Sequence, residues 1–85
     1  MKELNMNEKQ FFSTRDKSEA AALLSVGIPL EKLDRVNGIF WFSFSEIEHC
    51  QEVINQFWLG ELEVKAKTFS DAEKRLVHLM RGCVQ

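Results

Sequence analysis

The chain is short of cysteine, glycine and proline, and each shortage removes a class of protein from consideration. Two cysteines, Cys50 and Cys83, are too few for the disulfide framework of a small secreted domain, which points to a reducing compartment and an expected cytoplasmic location. The four glycines, Gly27, Gly38, Gly60 and Gly82, stand alone, so no glycine-rich loop is available to cradle phosphates. Each fits a turn or a helix end instead. Pro29 is the one proline, and there is no repeat or low-complexity tract. No apolar run approaches the ~18–20 residues of a membrane-spanning helix. The polar start, Met1 to Gln10, also lacks the apolar stretch of a signal peptide.

Reactive side chains are equally sparse. His49 and Cys50 are neighbours on an expected helix, where successive side chains point about 100° apart and do not converge on one ion. His78 lies five residues before Cys83 with no second pair at ligand spacing, so neither a metal nor a cofactor is expected. Ser43, Glu46 and His49 could be named as a nucleophile, acid and base, but such sets are defined by geometry rather than by presence. Glu46 with Glu48, and Glu61 with Glu63, are the pattern of caps and solvated surface. A domain of this size also has little room for the ~300–1,000 Å³ pocket of a small-molecule site. The expectation is a protein that is not an enzyme.

What the chain does have is aromatic bulk and an uneven charge. Its 85 residues make one domain, and 45% of them are hydrophobic, with seven Phe and two Trp. Such a chain buries only about 60–65% of its unfolded surface, so large aromatic side chains matter to its thin core. Residues 1–64 hold 6 Lys/Arg against 11 Asp/Glu, a net of −5, whereas residues 65–85 hold 5 against 2, a net of +3. An acidic body with a basic end is not the footprint of a dedicated duplex-DNA binder.

Residues 1–9 are polar and are expected to form a loose arm ahead of a single domain spanning 10–82. Phe11 to Thr14 favours a short strand. Asp16 with Glu19 makes a capping box for a helix with Ala20, Leu23 and Leu24 on its apolar stripe, and Gly27 stops it. Leu30 to Val36 predicts a strand, Asn37-Gly38 a type I′ hairpin turn, and Ile39 to Phe44 the returning strand. Ser45 with Glu48 is a second capping box, opening a helix whose stripe is Ile47, Cys50, Ile54 and Phe57, widened by Val53 and Trp58. Leu62 to Lys67 alternates at period two, as a half-buried strand does, or supplies the first turns of a longer final helix. Ser70 with Glu73 is a third capping box, followed by Ala72, Leu76, Leu79 and Met80 at helical spacing, and Gly82 closes the helix.

This order, β-α-β-β-α-β-α, predicts an α+β fold: a ferredoxin-like antiparallel sheet with two helices on one face and an added C-terminal helix. In the hairpin's second strand Phe40, Phe42 and Phe44 share one face, with Ile39, Trp41 and Ser43 on the other. The final helix is expected to fold back and shield Trp41, because monomers seldom leave large apolar patches in water.

Two resemblances attach to these segments. Asn37-Gly38-Ile39-Phe40-Trp41-Phe42-Ser43-Phe44 resembles the signature strand of RNA-recognition motifs at Gly38, Trp41 and Phe44. It departs from it at Asn37, which lacks a basic charge, at Ile39, which cannot stack on a base, and at Phe40, where Gly or Ala belongs. More extensively, the chain resembles a family of short microbial and viral proteins classed as a domain of unknown function (family 5659). The likeness runs from Phe11 to Met80 and includes Ser13-Thr14-Arg15-Asp16, Ala20-Ala21-Ala22-Leu23-Leu24 and Gly27. It continues through the aromatic hairpin strand and Phe57-Trp58-Leu59-Gly60-Glu61-Leu62-Glu63-Val64-Lys65-Ala66, then ends with Phe69 and Leu76-Val77-His78-Leu79-Met80. It covers about 70 of the 85 residues. Lys65 departs from the family, which usually has a small polar residue before the Ala. The resemblance implies a compact α+β domain, often on phage or other mobile elements, and no catalytic residue.

The expected function is therefore a non-catalytic protein-interaction or homodimerising module. A single-stranded nucleic-acid binder is the alternative, since an aromatic platform with a cationic rim suits that ligand. A small inhibitor of a host enzyme, its acidic body mimicking nucleic acid, is a third reading. The candidate interaction surface comprises Ile39, Trp41, Trp58, Lys65, Lys67, Lys74, Arg75 and Arg81.

Overall fold

The computed structural model describes residues 10–83; the arm expected at 1–9 lies outside the described residues. In chain order the elements are β1 (Phe12–Thr14), α1 (Lys17–Ser25), β2 (Leu30–Val36), β3 (Ile39–Phe44), α2 (Ile47–Trp58) and α3 (Ala66–Cys83). The three strands form one sheet in the order β1-β3-β2, with β3 antiparallel to both neighbours. This is a split β-α-β arrangement, the hairpin's return strand lying between two strands joined by a helix.

The ferredoxin-like pattern is not completed. Residues 61–65 form neither strand nor helix, and no fourth strand is present among the described residues. Ala66 and Lys67, expected at the end of that strand, instead open α3, whose first helical bond runs from the Phe69 N–H to the Lys65 carbonyl at 3.0 Å. Ser70 therefore lies a turn inside the helix and caps nothing. The period-two alternation of Leu62, Val64 and Ala66 has another origin: Leu62 and Val64 are half-buried where the connection crosses from α2 to α3. Leu62 packs on the core, so an extended linker pinned by alternate side chains carries the same pattern as a strand.

Local chemistry explains the hairpin and the first helix. Asn37 (φ 52°) and Gly38 (φ 79°) both take positive φ, as a type I′ turn demands, and they join Val36 to its partner Ile39. Asp16 caps α1 by accepting from the N–H groups of Ser18 (2.8 Å) and Glu19 (3.1 Å). The helix ends at Gly27 (φ 93°), where the Ile28 N–H donates back to the Leu23 carbonyl at 3.1 Å and the Gly27 N–H to that of Leu24 at 3.0 Å. The Ser45/Glu48 box does not form. Glu46 is the N-cap of α2, its backbone left-handed (φ 61°, ψ 59°) and its side chain bonded to no helix N–H.

Phe42 and Phe44 are buried against Ala20, Ala21, Leu23, Cys50, Val53, Ala72 and Leu76 in one cluster, with Phe40 packed at its margin. A bulge at Glu31 shifts the register of β2, so that both Leu30 and Leu33, three residues apart, reach this face. Helix α1 is the centre of the helical side. It packs against both α2 and α3, and Ala20, Ala21, Ala22 and Leu23 are fully buried. Three alanines in a row give two neighbouring helices close access to the α1 backbone.

Candidate functional site

The residues singled out from the sequence fall on three separate surfaces. Ile39 and Trp41 stand on the face of β3 turned away from Phe42 and Phe44, and both are half-buried. Lys67, Lys74, Arg75 and Arg81 lie on the exposed sides of α3, with Lys65 exposed just before it. Trp58 is at the last turn of α2.

Helix α3 does not cover Trp41. Ala72 and Leu76 join the cluster that contains Phe42 and Phe44, so α3 shields the opposite side of the sheet, packed along α1 and reaching β2. Its apolar stripe is satisfied by α1, whose alanine face the hydrophobic pattern of α3 matches better than it matches a half-polar sheet surface. Around Trp41 that surface holds Ser43, Ser13, Lys32 and Asp34, placed there by the strand register. The Ser13 and Ser43 hydroxyls share a 2.8 Å hydrogen bond, and the Lys32 ammonium lies 5.7 Å from the Phe11 ring centre. The face is a mixed polar surface rather than an aromatic platform.

Trp58 departs from its expected place in the buried stripe of α2. It is 60% exposed, and its neighbour Leu59 is 63% exposed. Exposure does not leave it loose. The indole Nε1–H donates to Glu19 Oε2 at 2.7 Å, and the Phe57 ring meets the indole edge-on with centroids 4.9 Å apart. Phe57 in turn stacks on Phe69 of α3 at 6.2 Å. Glu19 serves two donors, since its Oε1 accepts from the Thr14 hydroxyl at 2.7 Å. This is why it does not close the expected capping box with Asp16: the Asp16 N–H is bonded by Thr14 Oγ1 at 3.0 Å. Spacing alone could not reveal this link, because Glu19 and Trp58 are 39 positions apart.

The remaining reactive groups are held apart. Among the described residues no three of His, Cys, Asp and Glu gather at metal-binding distance. His49 Nδ1 faces Glu46 Oε1 at 3.3 Å on the exposed side of α2, while Cys50 is buried and donates its S–H to the Ser45 carbonyl at 3.1 Å. Burial, assisted by the charge of Glu46, pushes the Cys50 thiol above its usual range, so it is a poor nucleophile. The raised value makes a contribution to stability that is fully present below the ordinary thiol range and lost as pH climbs through the raised one. Thiol reagent at mildly alkaline pH should label the exposed Cys83 quickly and Cys50 only on unfolding. In urea melts, the alkaline loss of stability should shrink in Cys50→Ala; equal labelling rates for the two thiols would contradict the burial.

These features define a small α+β domain with a three-stranded antiparallel sheet, helices packed on one of its faces, and no helix long and apolar enough to cross a membrane among the described residues. The chain belongs to the family described as Domain of unknown function (DUF5659), whose profile matches residues 9–82. No curated protein and no solved structure matches it. The likeness of β3 to an RNA-recognition strand gains no support from the fold, since that motif uses a four-stranded sheet whose aromatic residues stack bases.

Proposed function

We propose that this domain is a non-catalytic protein-interaction module that pairs with a second copy of itself through the end of α2, in the phage or mobile-element setting its family resemblance implies. The observation that carries this reading is Trp58, a large aromatic side chain exposed to solvent yet held in one orientation by Glu19 and Phe57. Interface hot spots are enriched in tryptophan, and a pre-oriented anchor loses little conformational entropy on docking. Leu59 beside it extends the apolar contact, and a twofold pairing would place each patch against its own image.

A single-stranded nucleic-acid site is less well supported by the geometry. It needs aromatic rings beside a cationic rim, whereas the basic side chains of α3 lie across the sheet from Trp41, and Lys32, the cation on the Trp41 face, already has Asp34 within 3.5 Å.

Sedimentation equilibrium over a wide concentration range tests the pairing. The parent chain should show a reversible dimer, and Trp58→Ala with Leu59→Ser should remain monomeric with folding intact. Glu19→Ala keeps the indole but frees it, and should weaken the dimer by less than the double substitution. A parent chain that stays monomeric throughout, or a dimer indifferent to Trp58 and Leu59, would refute this interface.

A further inference from the structure

A second surface, distinct from the Trp58 patch, lies where α3 passes the start of α1. There Lys17, Ser70, Glu73, Lys74, Val77, His78 and Arg81 line a shallow groove of about 510 Å³. The α3 members recur at spacings of three and four, so they form one stripe of that helix, and Lys17 closes the groove from α1. Lys17, Lys74 and Arg81 thus line one concavity with a single carboxylate, Glu73. None of Lys17, Lys74 and Arg81 forms an ion pair among the described residues, although Lys32, Lys67 and His49 each have a carboxylate within 4.0 Å. Two of the five cations of residues 65–85, Lys74 and Arg81, thus meet Lys17 of α1 where no carboxylate pairs with them among the described residues.

We infer that this groove binds an acidic peptide segment of a partner protein. A negative ligand follows from the uncompensated charge, by electrostatic complementarity. A peptide is favoured over a nucleic acid on two observations. No Phe, Tyr or Trp ring lines the groove, which leaves a base only the His78 imidazole and the Arg81 guanidinium to stack on, while Val77 offers an apolar contact that suits a side chain. Residues 1–64 also carry a net charge of −5, which repels a long polyanion but not a short acidic segment seated among the α3 cations.

Fluorescence anisotropy with the full chain provides the test, using a labelled peptide of alternating Glu and Leu, its Gln/Leu counterpart, and a labelled oligo-dT strand. The Glu/Leu peptide should bind at low salt and weaken as salt rises. Lys74→Glu with Arg81→Glu should weaken it at least about tenfold, the expected loss when attractive contacts become repulsive. The melting temperature should hold, because both side chains are exposed. Lys17→Gln, on the other wall, should give a smaller loss in the same direction. Oligo-dT binding more tightly than the peptide, and lost on the same substitutions, would overturn the peptide assignment in favour of nucleic acid. No binding of either probe at low salt, or peptide binding that ignores the charge reversals, would overturn the site. Neither result bears on the dimer, which Trp58→Ala with Leu59→Ser tests separately.

Discussion

Phe42→Ala is expected to remove about 3–5 kcal/mol of folding stability, the range for deleting a large buried aromatic side chain. The ring is 1% exposed and sits where β3 meets the buried residues of all three helices, so neighbouring groups cannot collapse into the space from one side. Small domains have about 5–15 kcal/mol in total, and this chain has a thin core, so the variant should sit near the limit of folding. Phe42 also pairs directly with Leu33 on β2 and Thr14 on β1. The substitution thus loosens both edges of the sheet at once. Urea melts followed by tryptophan fluorescence and circular dichroism give the measurement. A loss below about 1 kcal/mol would mean that the Phe40, Phe42 and Phe44 face does not carry the core, because even partial cavity formation at a buried aromatic costs more than that.

Removing α3 should have a larger effect still. A chain ending at Lys65 loses the fully buried Leu76, the nearly buried Ala72 and the half-buried Phe69 and Met80. Loss of Leu76 packing alone is worth about 2–5 kcal/mol. The truncation would also strip the cover from Leu24, which with Ala72 lines the junction of α1 and α3. Helix α1 depends on being enclosed. Its run of alanines brings little apolar area of its own, so its stability comes from what packs around it. The truncated chain is therefore expected to lose its cooperative unfolding transition, bind hydrophobic dye and aggregate. A cooperative melt with a midpoint near that of the full chain would show α3 to be an appendage. Had α3 covered the Trp41 face, the same truncation would chiefly have exposed that tryptophan to quencher; its seat on α1 makes the whole core the casualty.

Much of the architecture was legible because it rests on local rules. The hairpin could be read from Asn37-Gly38, since few residues other than these tolerate positive φ at both turn positions. The alternation of Phe40, Phe42 and Phe44 named the buried face of β3, because a strand turns successive side chains to opposite sides. Asp16 and Gly27 bounded α1 through contacts made within a few residues of each. Capping boxes read from spacing fared less well. Glu19 went to Thr14 and Trp58, Ser70 lay inside a helix, and α2 began at a left-handed Glu46. A cap side chain is short of neighbours only in an isolated helix, and in a folded chain a better donor can claim it.

Residue type alone marks Trp58 and the basic end as candidate surfaces. Where they came together was decided by tertiary structure. The period-two pattern of Leu62, Val64 and Ala66 is equally consistent with a strand, a helix start or a pinned linker, because local spacing does not say which backbone bonds are available. Without a partner strand the segment crossed as a linker, and α3 began at Ala66. Likewise, the apolar stripe of α3 required burial but named no acceptor. The acceptor was the alanine face of α1, which lets a helix approach closely, rather than the polar-flanked face of Trp41. That one packing choice separated the tryptophan of β3 from the cations of α3 and set Lys17 opposite Lys74 and Arg81. Contacts between residues distant along the chain are settled by which pairs of surfaces bury the most with the fewest unsatisfied groups, and a single sequence records the surfaces but not the pairing.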